Sequence, residues 1–347
     1  MTMLASNQTK LYSLTPGALG EILGGSGRAR EVWQRIVAAQ NPFTDAVLNE
    51  KARRRLKSAC APLSLRVVEQ HQAQCKTVKL VCALADHQLV ETVLIPHRER
   101  TTVCVSSQVG CARGCGFCVT ATMGLIRSLT TEEIVGQVKL AWDTARIYGM
   151  PPVRNVVYMG MGEPLDNLKA VAASVSILTH PWGFALAPRR IGISTVGTSP
   201  RAILETRDIP AYLAWSVHAV DDALRRRLVP TSKYSMATLR DAFVQVMRQR
   251  GADIFIEMAL MHEINDSEAQ AVALGEFLQP FPGQVRINLL PMNAGRADFM
   301  PTTAERTLLF QQRLRDLGFF CAIRRARGLD AAAACGQLVS LRAAKSA

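Results

Sequence analysis

The chain is predicted to be an α/β protein, a parallel sheet with helices outside, wound into a partial (βα)6 barrel behind a small amino-terminal helical accessory domain. Three observations predict it. Beyond Thr101, short apolar stretches of strand length alternate with longer helical stretches, the pattern of parallel strands joined by crossover helices. Six such strands are readable, fewer than the eight of a closed barrel. The 347 residues, 48% of them hydrophobic, are enough for one barrel and an accessory domain.

Residues 1–62 are assigned to the helical domain because Val32, Ile36 and Val37 recur at turn spacing, followed by a basic stretch over 51–57. Residues 63–100 are expected to form a β-hairpin leading into the core, with strands over 77–82 and 89–95 and a turn at Asp86, His87 and Gln88. The core, 101–347, should hold strands over 102–107, 156–160, 190–195, 212–218, 254–261 and 285–290, connected by right-handed crossovers. Helix starts are marked by two capping boxes, Thr130 with Glu133 and Thr302 with Glu305. Asp166 and Asp266 are candidate caps for two more helices.

Lys and Arg number 41 against 28 Asp and Glu, a net charge of +13, which suits a polyanionic partner, nucleic acid first among them. Basic clusters lie at Lys51, Arg53, Arg54, Arg55 and Lys57; Arg98 and Arg100; Arg189 and Arg190; Arg225, Arg226 and Arg227; and Arg324, Arg325 and Arg327. Each alone reads as a solvated helix face, and their sum is what points to nucleic acid. No run of about 18 apolar residues suggests a membrane span, and the first residues are too polar for a signal peptide, so a cytoplasmic protein with no membrane partner is expected. The nine cysteines then read as reduced, ligating or reactive thiols. Cys60, Cys75, Cys82 and Cys321 carry no motif and are expected to be small buried hydrophobes.

Chemistry concentrates at Cys111, Cys115 and Cys118, a C-x3-C-x2-C spacing that offers three thiolates to one inorganic centre. Three ligands on a four-iron cubane leave one iron open to a small molecule, as in the radical SAM superfamily, which this motif resembles. Zinc with a remote fourth ligand and plain buried thiols are the alternatives. In a parallel barrel functional groups sit after the carboxyl ends of strands. Gly162 and Glu163 stand there after the second strand, the glycine permitting close backbone approach and the acid offering a carboxylate to an ammonium group. Ser194 ends the third strand, Ser216, Val217 and His218 the fourth, and Asn293 follows the sixth. The serines and the histidine have an ordinary structural alternative in local hydrogen bonding. Cys335, between small residues and Gly336, is either a packing cysteine or a thiol with little steric shielding.

Seven ordered motifs between about Val90 and Leu338 resemble the radical SAM rRNA adenosine methyltransferases of the RlmN/Cfr type. They begin at Val90, Cys104, the cysteine triplet, Met159, Ser216, Asn288 and Ala334. The resemblance implies a [4Fe-4S] cluster on Cys111, Cys115 and Cys118 and S-adenosylmethionine (SAM) held by Gly162, Glu163, Ser194, Ser216, Val217, His218 and Asn293. It implies Cys335 as methyl carrier, Cys104 as the thiol that releases product through a transient disulfide with Cys335, and Glu91 as proton acceptor. It further implies methylation of an adenine ring carbon, carbon 2 in preference to carbon 8, in 23S rRNA with tRNA as a second candidate substrate. An electron donor and a thiol reductant would be needed, and the protein is expected to be a monomer. After Cys118 the chain reads Val119, Thr120, Ala121, Thr122, Met123, Gly124, where the family usually has Thr-Gly, so the loop beside the cluster is expected to be less permissive. The competing readings are a radical SAM enzyme acting on a peptide or small metabolite, and a zinc-stabilised RNA-binding module.

Overall fold

The computed structural model describes residues 8–44, 48–292, 298–324, 327–333 and 338. Strands β1 (Thr9–Lys10) and β2 (Cys60–Ala61) form a short parallel pair. β3 (Arg66–Gln72), β4 (Val78–Ala83) and β5 (Leu89–Pro96) run antiparallel, and β5 pairs antiparallel with β6 (Thr101–Cys104). β7 (Gln108–Gly110) and β8 (Leu125–Ser128) form a separate pair around the cysteine loop. From β6 onward the main sheet is parallel, through β9 (Val153–Tyr158), β10 (Ile191–Thr195), β11 (Tyr212–Ser216), β12 (Ile254–Leu260), β13 (Val285–Pro291) and β14 (Phe320–Ile323). The hairpin expected over 63–100 is therefore hydrogen-bonded into the same sheet and carries a further strand, β3.

All six expected parallel strands are present. They are mostly apolar because both faces of a parallel sheet tend to be covered, so Ile191, Ile193, Leu213, Ile254 and Ile256 are all buried. A seventh, β14, was not expected; four residues carry too little period to be read alone, and its pairing with β13 defines it. The fourth strand stops at Ser216 rather than His218 because His218 takes a left-handed φ of 56° that ends extended structure.

Helices α1 (Pro16–Leu23), α2 (Ser26–Val37) and α3 (Glu50–Ala59) form the amino-terminal lobe. Trp33 fixes it, meeting Tyr12 and Phe184 edge-on at 6.2 and 5.9 Å. α4 (Thr131–Ile147) adds a hydrogen bond from Trp142 Nε1 to the Val37 carbonyl, 3.2 Å, so the lobe leans on the outer helices of the core. The remaining helices are α5 (Leu168–Thr179), α6 (Pro200–Leu204), α7 (Asp222–Leu228), α8 (Met236–Arg250), α9 (Glu268–Leu278) and α10 (Ala304–Asp316). Among the described residues no helix is long and apolar enough to cross a membrane.

The capping box at Thr130 and Glu133 forms as expected. The second start is displaced: Thr303, not Thr302, caps α10, accepting from the Arg306 amide at 3.2 Å. Thr302 donates instead to Asp266, 2.5 Å. Asp266 caps no helix, because Ser267 already caps α9; its carboxylate accepts from the Glu263 amide and pairs with Arg306, tying the loop after β12 to α10. Asp166 is likewise no cap and pairs with Arg113 at 2.9 Å. Cys60, Cys82 and Cys321 are buried as expected, whereas Cys75 is exposed, on the turn before β4, where its thiol donates to Thr77.

Candidate active site

The cysteine loop hangs between β7 and β8. Cys111 leaves β7 with its amide bonded to the Gly124 carbonyl, 2.8 Å, and a Cβ on Gly110 would lie 1.9 Å from that oxygen, so only glycine lets the loop close there. Residues 119–123 make a short 3-10 turn in which none takes a positive φ, so this stretch needs no glycine where the family usually carries one. The expected loss of permissiveness has no backbone position to act on. Thr120 in that turn donates to the Leu338 carbonyl at 2.6 Å.

Cys115 is buried in an apolar nest with Ala219, Leu228, Val229, Met261, Met292 and Phe299, while Cys111 and Cys118 are half-buried. Burial pushes the Cys111 thiol up to about 12 and Cys115 higher still, and negative charge on the neighbouring Cys118 raises both further. Such thiols stay protonated unless a cation is present to stabilise the thiolate form. Three soft donors on one closed loop in an apolar shell fit an iron–sulfur centre that takes three protein ligands.

The strand ends beside this loop converge. Glu163, buried, accepts from the Leu165 amide through Oε1 and from the Val196 amide through Oε2, each at 3.0 Å. Burial raises its carboxyl to about 6, against the lowering effect of these hydrogen bonds. Gly162 has φ 97°, and a Cβ there would fall 2.5 Å from the Gln108 side chain, whose Oε1 accepts the Glu163 amide at 2.9 Å. Ser194 and Ser216, on adjacent strands, hydrogen-bond through their hydroxyls at 3.3 Å. Val217 is fully buried behind them.

His218 is held by structure: its Nδ1 accepts the Ala259 amide at 3.1 Å and its carbonyl accepts from Asn265 at 2.7 Å. Nδ1 as acceptor leaves the ring proton on Nε2. Burial, aided by the Arg225 charge, drives its pKa down to about 3, so the ring is neutral. Phe117, from the cysteine loop, meets this ring edge-on at 4.9 Å.

On the neighbouring strands Glu91 and Cys104 share one face, since Cys104 pairs with Val93, two residues along β5 from Glu91. Ser106 connects them to the glycine–glutamate turn, donating to the Glu91 carbonyl at 2.7 Å and accepting from the Met161 amide at 3.0 Å. Lys79 pairs with Glu91 at 3.2 Å and donates to the Ala332 carbonyl at 3.2 Å. Asn293 and Cys335 lie outside the described residues.

Sequence reasoning missed four site residues. Gln108, Lys79 and Asn265 are ordinary polar residues whose roles come from partners distant in the chain. Arg225 was counted with the basic surface; it is instead 1% exposed. The first of three consecutive arginines, four residues past the Asp that caps the helix, offers no signal of burial.

A parallel α/β sheet with its glycine–glutamate turn and three-cysteine loop at the carboxyl ends of the strands defines a radical SAM protein. The model of the radical SAM superfamily matches residues 105–274. The dual-specificity RNA methyltransferase RlmN of Magnetococcus marinus is 39% identical over 332 residues, 94% of this chain and 92% of that protein. RlmN of Desulfotalea psychrophila is 41% identical over 282 residues, 79% and 77% of the two chains. Among solved structures, a radical SAM methyltransferase from Sphaerobacter thermophilus superposes with a TM-score of 0.89 at 37% identity, covering 95% of this chain and 99% of that one. The chain belongs to the RlmN family of radical SAM methyltransferases.

Proposed function

We propose that the protein methylates an adenine ring carbon, carbon 2 in preference to carbon 8, in 23S rRNA, and that tRNA is a second substrate. Cys111, Cys115 and Cys118 hold a [4Fe-4S] cluster, and Gly162, Glu163, Ser194, Ser216, Val217, His218 and Asn293 line the SAM site. Cluster and SAM together supply, when bound, the one-electron chemistry that an unactivated ring carbon requires.

The chain's own residues do the rest. Cys335 carries the methyl group; one hydrogen atom leaves that methyl through the one-electron chemistry that cluster and SAM would supply, its carbon then bonds to the adenine ring carbon, and the odd electron is given back once the ring proton has left. Glu91, paired with the Lys79 ammonium at 3.2 Å, takes the proton from the ring carbon. Cys104 then attacks the Cys335 sulfur; the sulfur–sulfur bond forms, the carbon–sulfur bond breaks, and the leaving carbon takes the electron pair and a proton. A cytosolic thiol reductant reopens the disulfide. An electron donor serves the cluster, and the protein acts as a cytoplasmic monomer.

One observation carries this reading: Ser106 and Lys79 join Glu91, the strand bearing Cys104, the glycine–glutamate turn and Ala332, three residues before Cys335, into one hydrogen-bonded unit. Anaerobic reconstitution should give about four irons per chain. Cys335→Ala should yield no methylated RNA by nucleoside mass spectrometry, and the same measurement on wild type distinguishes carbon 2 from carbon 8. Normal methylation by Cys335→Ala overturns the reading, as does stoichiometric zinc without iron.

A further inference from the structure

Arg225 projects from α7 into the space between the carboxyl ends of β10 and β11 and the cysteine loop. Its guanidinium donates to the carbonyls of Ser216 at 2.9 Å, Val217 and Val196. Its Nε, also buried, has no hydrogen-bond partner among the described residues. A buried cation bonded to carbonyl dipoles is costly unless an anion lies close by.

Two anionic groups are candidates. Glu163 reaches the same residue, accepting from the Val196 amide while Arg225 donates to the Val196 carbonyl. The other is the cysteine triplet. Gly116 donates to the Leu228 carbonyl at 3.0 Å, Thr231 donates to the Arg113 carbonyl at 2.9 Å, and Leu228 and Val229 pack in one apolar cluster with Cys115. The end of the helix that carries Arg225 is thus clamped to the loop that carries the thiolates.

Resting on the reading that these thiolates hold a cluster, we propose that Arg225 is the buried counter-charge of the iron–sulfur centre, raising its reduction potential and fixing the strand-end carbonyls beneath the SAM site. A centre that gains an electron is stabilised in its reduced form by a fixed positive charge, and low surrounding polarity strengthens the effect. Arg225 is a positioning residue, since its hydrogen bonds run to backbone carbonyls rather than to reacting atoms.

The test is an EPR-monitored redox titration of anaerobically reconstituted full-length protein as wild type, Arg225→Lys and Arg225→Met, with iron content measured on each. Arg225→Met should show about a tenfold smaller reduced-to-oxidised ratio at a fixed applied potential, equal to about 59 mV for a one-electron couple. Arg225→Lys, which keeps the charge, should hold the wild-type potential while binding SAM more weakly by calorimetry, because three carbonyls lose their fork of donors. An iron-loaded Arg225→Met at the wild-type potential overturns the proposal. If that variant does not load a cluster, a fall of about 59 mV in Arg225→Lys overturns it equally. Wild-type protein without iron would instead remove the cluster reading on which the proposal stands, and the iron assay tells the two failures apart.

Discussion

Glu163 shows how burial and charge compete at a single residue. Its folded pKa of about 6 lies above the ordinary value of 4.5, with burial as the leading cause. The folded state therefore binds the proton more tightly than the unfolded state. This residue's contribution to stability is full below about 4.5 and is lost as pH rises through about 6. At neutral pH the carboxylate is kept charged against its surroundings, a cost that a ligand ammonium would offset. SAM affinity measured by calorimetry should fall as pH drops below about 6, and Glu163→Gln should weaken binding by about 1.5–3 kcal/mol and flatten that pH dependence. Gly162 carries a second expectation: Gly162→Ala places a Cβ 2.5 Å from Gln108 at φ 97°, so it should lower the melting temperature and abolish SAM binding.

At the level of elements, α4 and the cysteine loop show opposite degrees of autonomy. The capping box of α4 is local: Thr130 and Glu133 satisfy each other's backbone amides, and Glu133 also receives Arg127. Thr130→Ala should cost about 1 kcal/mol in chemical denaturation, with the fold unchanged by circular dichroism. The cysteine loop depends on partners distant in sequence. Gly124 closes it onto Cys111, Leu228 holds Gly116, and Leu338 holds Thr120. Its shape is consequently set by contacts with the end of α7 and with Leu338.

For the whole molecule the +13 net charge is a surface property only in part. Arg225 is buried and Arg55 caps α1 at the Leu23 carbonyl, whereas Arg226 and Arg227 stand exposed beside the cysteine loop. RNA binding measured by fluorescence anisotropy should weaken by tenfold or more between about 50 and 200 mM salt. Arg226→Gln should reduce the slope of log affinity against log salt by about one, as for the loss of one phosphate contact. A slope near zero would exclude a phosphate-contacting surface.

Six strands, the first capping box and the cysteine triplet were legible in the chain because each is a local pattern: an apolar run, a hydroxyl three residues before a carboxylate, three thiols within eight residues. Ser194 and Ser216 were legible as strand-end residues, and their contact needed only that β10 and β11 be neighbours. Where the reading slipped, two groups competed for one role, as Thr302 and Thr303 did for the α10 cap, and Asp266 and Ser267 for that of α9. The sequence by itself determined the fold class and set three thiols within one short loop. Only the tertiary structure decided that Arg225 is interior, that Lys79 meets Glu91, and that Val196 lies between Glu163 and Arg225. Those contacts join residues from different strands and helices, and a buried charge is stable only where the folded chain brings its dipoles and counter-charges together.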